Sequence, residues 1–178
     1  ATYDVRGVMI SPNGTDLWGA QGRRLSVAEA AVVRHQLSSD GQGGFLFGCE
    51  DFRNNVQTHL YLTRYDAEGV AVWENIERRV CVDNGSQNNV AITHDGSGGA
   101  WIVWEDYRNS DLYSEIDLYG THINSDGEYA TIGGFTWPAE GYPMCDVPTY
   151  QTEPILLPWE SGSALAVWKD LRSSNPGR

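Results

Sequence analysis

The stretch Asp95-Gly-Ser-Gly-Gly-Ala-Trp-Ile-Val-Trp-Glu-Asp-Tyr-Arg108 joins a glycine-rich turn, an apolar run and an Asp-x-Arg unit. The same combination occurs earlier as Asp40-Gly-Gln-Gly-Gly-Phe-Leu-Phe-Gly-Cys-Glu-Asp-Phe-Arg53. It returns, with the turn worn, as Glu160-Ser-Gly-Ser-Ala-Leu-Ala-Val-Trp-Lys-Asp-Leu-Arg172. Asp51, Asp106 and Asp170 fall in register, 55 and then 64 residues apart, and Trp18 and Trp73 keep the 55-residue offset. Such a period is the signature of a repeat architecture, in which each unit is a supersecondary element that buries its apolar faces against its neighbours. The glycines and short apolar runs suit strands and tight turns better than helices.

Taken in order, Asp4–Ile10 reads as a strand, Ser11-Pro-Asn-Gly14 as a turn and Thr15–Trp18 as the returning strand; Asn-Gly is a tight-turn pair because both residues tolerate positive φ. Ser26–Val33 offers one turn of helix at most before a strand. Phe45–Cys49 is apolar on both faces and reads as an interior strand. His59–Tyr65 and Val70–Trp73 then complete a four-stranded meander. The next unit repeats the plan, with Asp117–Ile123 matching Asp4–Ile10. An insertion over 128–145 follows and accounts for the wider spacing. Insertions in repeats map to loops on one face, often the binding face. The expected organisation is a single repeat domain over 1–178: a half repeat and connector (1–36), a repeat (37–90), a repeat with its insertion (91–150) and a half repeat (151–178). Ser173–Arg178 reads as an exposed tail. In strand letters this is C-D, A-B-C-D, A-B-C-D, A-B.

Composition removes several function classes. The 178 residues carry a net charge of −12 with a single lysine, Lys169, which disfavours a surface that tracks nucleic-acid phosphates. The longest apolar runs are far short of the ~20 residues of a membrane-spanning helix. The chain does not begin with Met, shows no signal peptide, and Ala1 reads as a processed or excised end. Cys49, Cys81 and Cys145 are too scattered for a Cys-x-x-Cys zinc site. Cys81 and Cys145 occupy equivalent repeat positions, which lie far apart unless the repeats pack there, so buried free thiols are expected over a disulfide between them.

These residues resemble a group of large secreted bacterial repeat proteins with β-propeller-like units. Their repeat runs Asp-Gly-x-Gly-Gly, an apolar strand, Trp-x-Asp-x-Arg, then Asp-x-Tyr-x-x-x-Ile and a glycine turn before a Trp. Asp95, Gly96, Gly98, Gly99, Trp104, Asp106, Arg108, Asp117, Tyr119, Ile123 and Gly127 fit that pattern. So do Asp40, Gly41, Gly43, Gly44, Asp51, Arg53, Tyr61, Gly69 and Trp73. The similarity covers nearly the whole chain and departs at Cys49, where Trp is expected, at the third glycine turn and at the missing Trp after Gly127. The resemblance implies extracellular or cell-surface placement and a scaffold or adhesion role, and it does not imply an enzyme.

The fold expected is all-β, a propeller-like array of about three four-stranded antiparallel blades. Propellers close with about 4–8 blades, so either chain is missing, or the unit is an open blade array, or copies associate. In the last case the C-terminal half repeat is completed by the N-terminal half repeat of another copy, head to tail, in a ring or an open filament. In each Asp-x-Arg unit, Asp51, Asp106 and Asp170 are expected to cap the following turn. Arg53, Arg108 and Arg172 then pair with them or stack on an aromatic ring. Adjacent Glu50-Asp51 and Glu105-Asp106 hint at paired carboxylates, but neighbours on a strand face opposite ways and Lys169 replaces Glu in the third unit. His35, His59, His94 and His122 lack metal-ligand spacing. Trp101, Trp137 and Tyr142 are candidate stacking platforms for a carbohydrate. Loops 66–69 and 124–127 offer oxygens to Ca²⁺, though ordinary turns explain them. Asn13 and Asn84 match the glycosylation acceptor pattern, which Asn-Gly turns also explain. The function expected is therefore a non-catalytic, self-assembling surface component, with a carbohydrate-binding propeller segment as the alternative.

Overall fold

The computed structural model describes residues 4–26, 32–53, 56–109 and 115–174, which form an all-β chain with no α-helix among the described residues. The strands are β1 (Arg6–Gly7), β2 (Arg23–Arg24), β3 (Val32–Ser39), β4 (Phe45–Asp51), β5 (His59–Tyr65), β6 (Arg78–Arg79) and β7 (Gln87–His94). They continue as β8 (Ala100–Asp106), β9 (Asp117–Ile123), β10 (Thr131–Ile132), β11 (Phe135–Thr136), β12 (Tyr142–Cys145), β13 (Gln151–Pro158) and β14 (Ala164–Asp170). Two four-stranded antiparallel sheets, β3-β4-β5-β6 and β7-β8-β9-β12, are accompanied by the strand pairs β1–β2, β10–β11 and β13–β14.

The turn from β3 to β4 shows how sequence sets the local structure. Gly41 and Gly43 take φ of 73° and 97°, a region costly for any side chain. Asp40 Oδ1 meanwhile accepts the amide N–H of Gln42 and Gly44, both at 2.8 Å. Asp95 does the same for Ser97 and Gly99 between β7 and β8. The two turns are one device used twice.

Apolar residues on both faces of β4 and β8 follow from burial between layers. Leu46, Leu60, Leu62 and Trp73 of the first sheet meet Val90, Ile92, Ile102, Trp104 and Ile123 of the second in one core. The opposite face of the first sheet, Phe47, Cys49, Tyr61 and Tyr65, packs with Leu25, Val5 and Trp18 of the β1–β2 segment. Alternation of period 2 thus sends Leu46 one way and Phe47 the other. The sheets approach closely at Gly48, where a Cβ would lie 2.1 Å from Ile92 Cδ1. Only a glycine leaves that space to the isoleucine.

The fourth strand of the first sheet is Arg78–Arg79, paired with Leu62 and Tyr61, and not Val70–Trp73. Residues 70–73 keep a bridge between Ala71 and Tyr65, and then Trp73 turns into the inter-sheet core and donates from Nε1 to Ser125 O at 2.8 Å. Burying the indole against the next sheet takes precedence over extending the ladder. At Asp4–Ile10 and Thr15–Trp18 the expected pairing is likewise kept only as the Ile10–Asp16 bridge; the strand pairing is Arg6–Gly7 with Arg23–Arg24, and Trp18 packs over Gly69. The sequence expectation of helix in Ser26–Val33 falls mostly outside the described residues; β3 begins at Val32. The expected tail splits at the boundary of the described residues, with Leu171–Ser174 forming a 3₁₀ turn. The 128–145 insertion holds the β10–β11 hairpin, turned by Gly133-Gly134, and β12, the fourth strand of the second sheet.

Candidate functional site

The three Asp-x-Arg units share one geometry. Asp51 Oδ1 accepts the Arg53 backbone N–H at 3.0 Å, and the Arg53 side chain returns to the same carboxylate through Nε at 2.9–3.0 Å. Asp106 and Arg108 repeat this at 2.9 and 2.7 Å, and Asp170 and Arg172 at 2.9 and 2.9 Å. Arg53 lies over the Tyr61 ring, 3.3 Å from its centroid, and Arg108 lies over Tyr119 at 3.9 Å. Trp104 Nε1 adds a donor to Asp106 at 2.7 Å. Burial opposes the charge on Arg53 and Arg108, but the paired aspartates outweigh it and raise both pKa values. Hydrogen bonds from the Arg172 side chain and backbone hold Asp170 down at about 2. Asp51 and Asp106 thus accept from their own turn and from their arginine, and Asp106 from Trp104 as well.

Glu50 and Glu105, next door, point to the opposite face and join consecutive layers. Glu50 Oε1 accepts Val90 N–H of β7 at 3.0 Å; Glu105 Oε1 accepts Glu153 N–H of β13 at 2.8 Å. These backbone donors are free because the first strand of each sheet bulges there, with Asn89 and Glu153 at φ of 49° and 55°. The two joints differ in one respect. Glu105 also receives Asn89 Nδ2 at 2.7 Å and the Tyr107 hydroxyl at 3.1 Å. Burial and Glu105 push the Tyr107 phenol up to about 12, so it stays a donor. Arg34 and Phe52 stand at the equivalent positions beside Glu50, and the buried Glu50 Oε2 has no hydrogen-bond partner. Desolvation accordingly raises the Glu50 pKa above its ordinary value. Lys169 replaces this glutamate in the third unit and pairs instead with Glu153 at 2.6 Å.

Trp101, Trp137 and Tyr142, singled out as stacking platforms, come together. Trp101 on β8 meets Trp137 edge-on with ring centroids 5.1 Å apart, and Trp137 meets Tyr142 at 6.0 Å. Phe135, which sequence reasoning missed, closes the group at 5.5 Å from Trp137 and 5.9 Å from Tyr142. The Gly-Gly turn of the β10–β11 hairpin places it there, a signal present in Gly133-Gly134-Phe135 but legible only once the hairpin's neighbour is known. His122, opposite Trp101 in the β8–β9 register, stacks on its ring with centroids 4.2 Å apart. Trp101 Nε1 donates to Gly162 O at 2.7 Å.

His122 Nε2 lies 2.9 Å from Asp95 Oδ2, which places the ring proton between them and leaves the buried Nδ1 without a partner. Burial would raise the Asp95 carboxyl, but bonds from His122, Ser97 and Gly99 hold it below its ordinary value. A cleft of about 620 Å³ opens beside this pair, lined by Asp95, His122, Thr131, Ile132 and Ser161. The aromatic group, the Asp95–His122 pair and the cleft share one corner of the second sheet, beside the insertion.

The remaining candidates have separate places. Asn13 and Asn84 are exposed on turns. In loops 66–69 and 124–127, Asp66 Oδ1 and Asn124 Oδ1 each accept two amide N–H groups of their own turn, which is how a plain turn is held. Among the described residues no three His, Cys, Asp or Glu side chains gather as a metal site. Cys49 and Cys81 are buried free thiols and Cys145 is half-buried and free; no Cys81–Cys145 disulfide forms. The Cys81 thiol, pushed up to about 11 by burial, reaches Glu140 O at 3.2 Å. Comparison with protein-family models, curated proteins and solved structures finds no match to this chain.

Proposed function

We propose that the chain is a non-catalytic structural repeat protein of the extracellular space or cell surface, whose sheets act as propeller-like blades and whose assembly makes scaffold or adhesion contacts. The observation that carries this reading is the use to which its distinctive residues are put. Asp51, Asp106 and Asp170 each hold their own turn and arginine, and Glu50 and Glu105 each join one layer to the next. A chain whose recurring charged residues are spent on holding turns and stacking similar units is built to extend or to close, not to turn over a substrate. Exposed Asn13 and Asn84, in acceptor sequences for sugars, are compatible with a secreted location. Light scattering and negative-stain imaging of the purified chain test the reading. Defined assemblies are expected, and a uniform monomer overturns it.

The aromatic group favours a second reading, a carbohydrate-binding propeller segment of a larger secreted protein. Phe135 and Tyr142 are nearly half exposed, at 47% and 46%, so ring surface remains open to a sugar. Glycan-array binding that is lost on Trp137→Ala, with the strand signal in circular dichroism unchanged, would establish this reading in place of the first.

A further inference from the structure

We infer that the open edge of β14 pairs with β1 of a second copy, so that β13–β14 and the partner's β1–β2 hairpin form one four-stranded sheet, and that two copies close on each other through two such sheets. This rests on the self-assembly part of the proposal above and gives it a partner and a register.

Three observations converge. First, the strand pairs are complementary halves. In both complete sheets the second strand is flanked by the first and third: β4 by β3 and β5, β8 by β7 and β9. β14 has β13 on one side and, among the described residues, no strand on the other. The β1–β2 pair matches the third and fourth strands of the first sheet, since Arg6↔Arg24 and Gly7↔Arg23 repeat Tyr61↔Arg79 and Leu62↔Arg78 at the 55-residue offset.

Second, the register follows from the chain itself. Carrying the β8–β9 pairing, Ala100↔Ile123 through Asp106↔Asp117, onto the equivalent residues sets Ala164 opposite Ile10, Ala166 opposite Val8 and Asp170 opposite Asp4.

Third, apolar residues at this junction are exposed where their equivalents in the complete sheets are buried. Ile10 is 65% exposed where its equivalents Tyr65 and Ile123 are 5% and 0%. Val167 is 55% exposed where Val103 is 3%. Leu37 of β3 is 59% exposed where Ile92 is 9%. Each copy already seats its β1–β2 segment on its own first sheet through Leu25, Val5 and Trp18. A second copy's β13–β14 laid beside that segment therefore brings Leu165 and Val167 over Leu37. Since Lys169 is committed to Glu153, the glutamate joint is absent there, and strand pairing with apolar burial must hold the junction.

Among the described residues one copy holds two four-stranded sheets and the pairs β1–β2 and β13–β14, apart from the β10–β11 hairpin of the insertion. Two copies joined at both junctions then hold six four-stranded sheets, within the roughly 4–8 blades at which propellers close.

Cross-linking decides the matter. Val8→Cys and Ala166→Cys, made as separate variants in a Cys145→Ser background, are mixed and oxidised, while the mass of the unaltered chain is measured by light scattering. The expected result is a disulfide-linked pair of unlike variants and a particle of twice the chain mass. A Val8/Ala166 double variant should then give covalent dimers alone, and a ladder of higher multimers would overturn the two-copy closure. Assemblies of the unaltered chain without this cross-link would overturn the junction and leave the scaffold proposal standing. A monomer would overturn both.

Discussion

The two glutamate joints make a natural experiment on hydrogen-bond satisfaction, and Phe52→Tyr tests it. Glu105 has both carboxylate oxygens bonded, whereas Glu50, 1% exposed, has a bare Oε2 because Phe52 stands where Tyr107 supplies a hydroxyl. A hydrogen bond to a charged group is worth about 1.5–3 kcal/mol. Arg34, 4.0 Å away and largely in solvent, already offsets part of the charge, so a net gain of about 1 kcal/mol is expected. For a chain of this size that corresponds to ~2–4 °C in melting temperature. The sign with pH is the sharper signature. The Glu50 pKa is raised in the folded state, so its favourable contribution is complete below the unfolded pKa and is lost as pH rises through the folded one. A tyrosine hydroxyl bonds the ionised form and returns part of that loss. Urea unfolding should show the Phe52→Tyr gain at neutral pH and little gain near the pKa of a free glutamate. Adding Glu50→Gln should abolish the pH dependence. A gain that is flat with pH, or a loss at neutral pH, would refute the argument that the bare oxygen is the defect.

Asp106→Asn removes the charge that balances Arg108, whose side chain is only 15% exposed, so unfolding should become easier by roughly 2–3 kcal/mol. The same change at Asp170, where Arg172 is 54% exposed, should be far milder; equal effects in chemical denaturation would contradict the burial argument. Gly127→Ala forces a side chain into φ of 83° with Trp73 ring atoms 2.9 Å from the new Cβ, and should cost about 2 kcal/mol with a blue-to-red change in tryptophan emission as Trp73 is displaced. An unshifted melting temperature for Gly127→Ala would mean that Trp73 does not dock there in solution.

What could be read from the amino acids was whatever depends on near neighbours. Turn glycines with positive φ, Asp40 and Asp95 closing their own turns, and the both-face apolar runs of β4 and β8 are local in origin, and the all-β class follows from them. The Asp–Arg geometry was legible for the same reason, since an aspartate at the end of a strand caps the backbone N–H two residues on and so brings that arginine back to it. Tertiary structure decided the rest. Trp73 leaves the ladder because burying its indole against Gly127 and Ser125 outweighs two further rungs, so Val70–Trp73 is no strand and Arg78–Arg79 is. Trp101, Trp137 and Tyr142 meet only because the β10–β11 hairpin and β12 fold the insertion back over β8, and Phe135 and His122 join them through contacts no spacing announces. Glu50 and Glu105 look alike in the chain and differ in the fold, because the next layer gives each a backbone N–H while the second partner comes from their own sheet, Tyr107 and Asn89 beside Glu105 where Phe52 and Arg34 stand beside Glu50.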